Sequence, residues 1–300
     1  MTRPILFVLC FAFMCSISNG VLAGERYTVT YPRPDGDFDE RSRYSLKLLE
    51  LALQKAGVDY TLQPSKLPMQ QGRALVMLEK GLGEVNITWS MTSIEREERL
   101  LPIRIPICRG LIGWRIALIT ADQPDLLAAV RTRADLAKLL AGQGHDWPDT
   151  TILRANRLPT LGVVGYQSLF KTLLARRYDY FPRSVSEIWA EASEQLSAGI
   201  MVDPYIAIHY PAASYFFVNK QNLRLANWVH TGLERALADG SFEQLFQQEM
   251  RDSLIAARLD KRVIIELDNP LLPPATPLNR RELWYRPRLA APSKPAHPPQ

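Results

Sequence analysis

Short strand-forming runs alternate with helix-length amphipathic stretches from residue 26 onward, and this alternation limits the fold more than any other feature of the chain. Residues 27–31, Tyr-Thr-Val-Thr-Tyr, are β-branched and aromatic and run into a Pro-Asp-Gly turn region. Residues 42–56 then place apolar or small side chains at 45, 48, 49, 52 and 56, a helical spacing followed by Gly57, where a helix C-cap favours positive φ. A strand over 58–62, a helix over 73–80 closed by Gly81, and a strand over 85–89 follow. Strands separated by helical crossovers build right-handed βαβ units on a parallel sheet. Such sheets bind ligands beyond the carboxyl ends of their strands, so Tyr31 and the stretch 89–93 mark the expected rim of a site.

The apolar run 111–119 is long enough for a strand that leaves one domain for another, and a second α/β series follows it. That series predicts a helix over 134–140, a Gly-rich loop over 142–149, a helix around 169–174 and a strand over 178–181. Ser184 and Glu187 have the spacing of a capping box, which predicts a helix starting there. The run 214–218 is strand-like, and two amphipathic helices, with apolar positions from 225 to 237 and from 242 to 250, close the globule around Asp239-Gly240-Ser241. At roughly 150 residues per domain, a chain of 300 residues suggests two domains.

The chain starts with Arg3, an apolar run over 5–17 and Val21-Leu22-Ala23, the order of a secretory signal cut before Gly24. About 13 apolar residues rise only about 20 Å as a helix, short of the roughly 30 Å hydrocarbon core, so an anchor is the weaker reading. The expectation is a signal peptide over 1–23 and an exported, periplasmic protein. After cleavage only Cys108 remains, so no internal disulfide forms, and its apolar surroundings suggest a buried structural thiol. The four histidines have no metal-ligand spacing, and neither a metal nor a cofactor is expected.

Of 36 Lys and Arg, Arg3, Arg280, Arg281, Arg286, Arg288 and Lys294 lie in the terminal segments, and the remaining 30 are matched by 30 acids. An electroneutral body offers no basic face for nucleic acid. Beyond Asn269 the chain has nine prolines in 31 residues, a composition that predicts a mobile tail in which only 283–285 could dock.

The strand over 85–89 leads into Ser90-Met91-Thr92-Ser93-Ile94-Glu95-Arg96. Thr92 and Glu95 fit a capping box, so a helix is expected to begin at Thr92 with its free N–H groups toward a cleft. A helix N-terminus carries about half a positive charge, and with the Ser93 hydroxyl and the Arg96 fork it could hold a carboxylate. The blander reading pairs Arg96 with neighbouring glutamates on a solvated face.

At these residues the chain resembles the extracytoplasmic solute-binding proteins of family 3, two-lobed binders of polar amino acids. Their approximate pattern G-M-T-I-T-P-E-R, then an apolar stretch ending in D-F-S-D-P-Y, is similar to 89–96 followed by Pro102-Ile103-Arg104-Ile105-Pro106-Ile107. The run 78–86 resembles the approach to that strand, and Gly240-Ser241-Phe242 resembles the family's ending, so the likeness spans roughly 26–255. It implies a type II periplasmic binding protein fold: α/β, each lobe a mainly parallel sheet flanked by helices, with hinge strands near 111–118 and 214–218. Lobe 1 would comprise 24–111 and 218–266, lobe 2 would comprise 112–217, and 267–300 would be the tail.

The resemblance also implies that Ser93 and Arg96 hold a ligand carboxylate. Two departures bear on the ligand: Ser184, beside Arg183, stands where the family places an ammonium-binding aspartate, and Tyr31-Pro32-Arg33-Pro34 replaces the usual first-strand mouth. Both point to a ligand more anionic or less amine-like than an ordinary amino acid. The candidate site is Tyr31, Trp89, Ser90, Thr92, Ser93, Arg96, Gly144, Trp147 and Arg183, with Trp147 either a plate over the ligand or an anchor within its own lobe.

Three functions compete. The leading one is a monomeric periplasmic receptor that closes on a small ligand and presents it to a membrane transporter or sensor. A lyase or dehydratase-like enzyme on the same scaffold would use Glu95, His145, Asp146 or Asp149 as acid or base. The third is an interaction protein that no longer binds a ligand.

Overall fold

The computed structural model describes residues 26–33 and 40–287, so the expected signal peptide and residues 288–300 lie outside the described residues. Lobe 1 opens with β1 (Tyr27–Arg33), α1 (Glu40–Ala56) and β2 (Tyr60–Pro68), and the two strands pair in parallel with Tyr27 opposite Tyr60. Then come α2 (Gln71–Lys80), β3 (Thr88–Met91), the six-residue α3 (Ile94–Arg99) and β4 (Leu101–Ile103). Asn86 joins this part to β1: its side-chain oxygen accepts from the Thr30 N–H at 2.9 Å, and its own N–H donates to the Thr30 carbonyl at 2.9 Å.

The chain then enters lobe 2 through β5 (Trp114–Thr120), α4 (Arg133–Leu136), β6 (Ala141–Gly144) and α5 (Pro148–Ala155). After β7 (Thr160–Val163) come α6 (Tyr166–Leu174), β8 (Phe181–Ser184), α7 (Ile188–Gln195), β9 (Ile200–Val202) and β10 (Ile206–His209). It returns to lobe 1 as β11 (Ser214–Val218), α8 (Leu223–Ala238) and α9 (Ser241–Ala257), and finally to lobe 2 as β12 (Val263–Glu266).

The alternation seen in the sequence is present, but the ladders are mixed and not mainly parallel. Parallel pairing joins β1 to β2, β6 to β7 and β10 to β12. Every residue of β5 is buried, and β5 runs antiparallel to β8, β9 and β10. The returning β11 runs antiparallel to both β3 and β4. A chain that goes out and comes back must reverse direction, so its return strands cannot extend a parallel series.

The lobe boundaries also differ from the sequence expectation. The run 214–218 is the middle strand of a lobe 1 sheet and not a hinge, so the first two crossings fall near 104–113 and 210–213. Residues 263–266 belong to lobe 2, where β12 pairs with β10 and buries Ile265 in that lobe's core.

Lobe 1 is held by α1 against α8. Leu48, Leu49, Ala52, Val229 and Leu233 are all fully buried, and each large apolar side chain contributes about 1.5–3 kcal/mol relative to exposure. The helices approach so closely that a Cβ at Gly232 would lie 1.7 Å from the Ala52 carbonyl oxygen.

The tail expected to be mobile from 267 instead packs on the body through 287. Asp268 and Asn156 exchange hydrogen bonds at 2.7 and 3.0 Å, Asn269 donates to the Pro211 carbonyl at 2.8 Å, and Leu283 is fully buried. Proline content misled here because anchors such as Leu283 and Trp284 supply the burial that the prolines do not.

Candidate functional site

A cleft of about 340 Å³ lies between the lobes. Its lobe 1 wall includes Trp89 and Ser90 on β3, Gln71 on α2 and Tyr44 on α1; Gly144, Trp147, Asp149 and Arg183 face it from lobe 2. Five of the nine candidates from the sequence therefore line it: Trp89, Ser90, Gly144, Trp147 and Arg183. Tyr31, Thr92, Ser93 and Arg96 lie behind the lining. Tyr31 backs Trp89 with ring centroids 6.3 Å apart.

The α3 N-terminus is not an open anion site. Its N-cap is Ser93 and not Thr92, with the Ser93 hydroxyl accepting from the Arg96 N–H at 3.2 Å. Thr92 donates to Glu97 at 2.7 Å, and the Ile94 N–H donates to the Leu271 carbonyl at 3.0 Å, so the C-terminal segment takes the first free N–H of the helix. The Arg96 guanidinium turns back to the end of β3, donating to the Ser90 hydroxyl at 2.5 Å, the Met91 carbonyl at 2.7 Å and Gln71 at 3.3 Å. Burial lowers its pKa, opposed by the charges of Asp146 and Asp149.

On lobe 2 the strand β6 takes residues 142–144 of the expected Gly-rich loop and α5 its last two, and Trp147 lies flat on β6: a Cβ at Gly144 would meet the indole at 2.4 Å. The other neighbours of Trp147 are Phe181, stacked at 6.4 Å, and the Arg183 guanidinium, 4.9 Å from the ring centroid. Trp147 is thus both anchored in its own lobe and part of the cleft wall.

Arg183 is not the free cation that the sequence suggested. It is 3% exposed and forms two parallel hydrogen bonds to Glu191 at 2.7 and 2.6 Å, with Glu187 at 3.0 Å. Burial alone would lower its pKa, but Glu187 and Glu191 raise it well above the ordinary arginine value. A guanidinium this deep requires a carboxylate partner. Tyr166 donates a further hydrogen bond to Glu191 at 2.9 Å. The expected capping box at Ser184 does not form: Ser184 ends β8 and bonds the Leu111 carbonyl and Ser186, and α7 begins after Glu187.

A second buried pair went unseen in the sequence. Arg115 is 2% exposed and meets Asp149 at 2.6 Å, while the Tyr210 hydroxyl donates to the same carboxylate and accepts from Arg115 at 3.1 Å. Only an arginine inside the otherwise apolar run 111–119 hinted at it.

Of the acid–base candidates, His145, Asp146 and Asp149 line the cleft and Glu95 does not. Glu95 pairs with Arg99 on an exposed face outside the cleft lining, Asp149 is held by Arg115 and Tyr210, and His145 is 3.7 Å from Asp146 with both partly exposed. Cys108 lines the cleft, and desolvation, helped by the Glu187 charge, pushes its thiol up to about 12. The folded protein should therefore resist iodoacetamide at pH 8 and react fully in denaturant; alkylation at equal rates in both would show a nucleophilic thiol. Among the described residues no helix is long and apolar enough to cross a membrane, and no group of three or more potential ligands could hold a metal ion.

No family model and no curated protein matches the chain. Solved structures do. An ancestral arginine-binding protein bound to glutamine has a TM-score of 0.56 at 14% identity, over 75% of this chain and 97% of that one. The GluR0 ligand-binding core from Nostoc punctiforme in complex with L-glutamate has a TM-score of 0.52 at 14% identity, over 74% and 98%. An ancestral amino-acid-binding protein that is a precursor of cyclohexadienyl dehydratase has 0.52 at 15% identity, over 75% and 95%. The chain has the two-lobed α/β fold shared by these amino-acid-binding proteins, which corresponds to the type II periplasmic binding protein architecture implied by the sequence.

Proposed function

We propose that the protein is an exported receptor that captures a small amino-acid-like solute between its lobes and presents it to a membrane transporter or sensor. One observation carries this reading: the Trp147–Arg183 wall of lobe 2 faces Trp89 and Ser90 of lobe 1 across a cleft of about 340 Å³. That volume falls within the roughly 300–1,000 Å³ of small-molecule sites. The structural neighbours that bind arginine, glutamine or glutamate give the same direction.

The buried charges of the cleft wall have partners within the chain. Arg115 is neutralised by Asp149, Arg183 by Glu191 and Glu187, and Glu249 by Arg43 and Lys47. The two buried cations of the lobe 2 wall, Arg115 and Arg183, already have carboxylate partners, so the departures at Ser184 and Arg183 argue less for an anion than the sequence suggested. A zwitterion fits better, because neither of its charges then has to be met by a buried cation that already has a carboxylate partner. The protein is read as a monomer working in the periplasm.

The mature protein should gain several degrees of melting temperature from one or a few members of an amino-acid panel at concentrations well above Kd. The ligand should be recovered unchanged, and Trp147→Ala, which strips an indole packed on its own lobe, should lower the apo melt without unfolding the protein and weaken the gain measured from that lower melt. Consumption of the ligand would move the protein to the enzyme reading, toward which the dehydratase precursor among its neighbours points. Indifference to the whole panel would favour the interaction protein.

A further inference from the structure

Lobe 2 reaches across the cleft with one carboxylate. Asp146 sits in the tight turn between β6 and α5, a turn held by the Trp147 N–H donating to the Gly144 carbonyl at 3.1 Å and by the His145 N–H donating to the Val163 carbonyl at 3.1 Å. Opposite lies the first turn of α2, a ten-residue helix with no side-chain N-cap bond and no acidic residue in its first turn. Its early N–H groups thus have no carboxylate from their own segment to complement the positive helix end.

At that turn stands Gly72. A Cβ on Gly72 would lie 2.8 Å from Asp146 Oδ2, so the carboxylate rests where any other side chain would begin. Arg96 is tied to the same turn through its hydrogen bond to Gln71 at 3.3 Å. The charge of Asp146 acts on that guanidinium and opposes the lowering of its pKa by burial.

We propose that Asp146 latches lobe 2 to lobe 1 by seating its carboxylate on the N-terminal turn of α2 beside Arg96. The latch biases the lobes toward closure. The inference rests on two lobes that can part, and it stands apart from the identity of any ligand.

The test needs no ligand. Spin labels at Leu67→Cys on lobe 1 and Val164→Cys on lobe 2, both at exposed positions, report the separation of the lobes by pulsed dipolar spectroscopy. Relative to the labelled parent, Asp146→Asn should shift the distance distribution to longer values, and 0.5 M salt should shift the parent part of the way, because a partly exposed charge is screened. Gly72→Ala favours the helix by propensity but puts a methyl group where the carboxylate rests. It should raise or preserve the melting temperature and yet lengthen the distances. Unchanged distances in Asp146→Asn overturn the latch. A shift in Asp146→Asn without one in Gly72→Ala places the partner of the carboxylate elsewhere and overturns the assignment to α2. If the variants open the lobes while no amino acid binds, the proposed function fails and the latch remains.

Discussion

Asp149→Ala is expected to destabilise the protein by about 3–5 kcal/mol, the usual cost of stripping one partner from a buried ion pair. Arg115 is 2% exposed, and its charge is balanced at 2.6 Å by Asp149, with Glu187 more distant at 3.9 Å. Removing the carboxylate leaves a guanidinium that is 2% exposed without its close partner, and the Tyr210 hydroxyl loses its acceptor. For a domain of about 150–250 residues each kcal/mol moves the melting temperature by roughly 2–4 °C, so a fall of about 10 °C is expected by calorimetry. Arg115→Met combined with Asp149→Leu should recover most of the loss, since replacing both ions by apolar groups removes the desolvation cost together with the attraction. If Asp149→Ala melts within a degree or so of the parent, solvent reaches Arg115 and the pair is part of an open site.

This pair also shows where sequence reading stops. Arg115 and Asp149 stand on different elements, and Tyr210 comes from a third, so no local spacing connects them. The sequence pointed to Trp89 and Ser90 because they sit at the end of a strand, where such sheets bind ligands, to Gly144 and Trp147 as part of a Gly-rich loop, and to Arg183 through the family resemblance beside Ser184. It pointed equally to Thr92 and Ser93, where the local rule was ambiguous. Thr92-x-x-Glu95 satisfies the capping-box pattern, yet Ser93 is the cap, and the Ile94 N–H goes to Leu271, far along the chain. Arg183 was legible as a cleft residue and illegible as a neutralised one. Its partners Glu187 and Glu191 are close in sequence, but only burial shows that they must face it. Periodicity found the helices that bury a face, such as α1, α8 and α9, and missed short strands such as β4, β9 and β10, which have too few residues to show a period.

A chain ending at Leu267 should melt far below one ending at Pro287, and this contrast tests whether the C-terminal segment is structural. Residues 268–285 touch both lobes and both early crossings. Asp268 is held to lobe 2 by Asn156 at 2.7 and 3.0 Å, Asn269 bonds the Pro211 carbonyl in the second crossing at 2.8 Å, and Leu271 caps α3 of lobe 1 at 3.0 Å. Arg280 then grips Glu234 on α8 at 2.5 and 3.0 Å. This pair is about a third exposed and contributes at most about 1 kcal/mol. Apolar burial contributes more. Leu283 is fully buried, Trp284 covers Gly110 so closely that a Cβ there would meet the ring at 2.5 Å, and the Tyr285 N–H closes on the Arg109 carbonyl at 2.7 Å. Leu283→Ala alone should cost about 2–5 kcal/mol. The chain cut at Leu267 loses all of these contacts at once, so its melt should fall by more than that of any single variant, and removal of 288–300 should change it by no more than about a degree. Because the segment spans the crossings, its loss should also widen the spread of lobe separations seen by the same spin labels. If the chain ending at Leu267 melts with the parent, the packed segment adds nothing to stability. The proline-rich composition would then have described the energetics correctly even though it misplaced the chain.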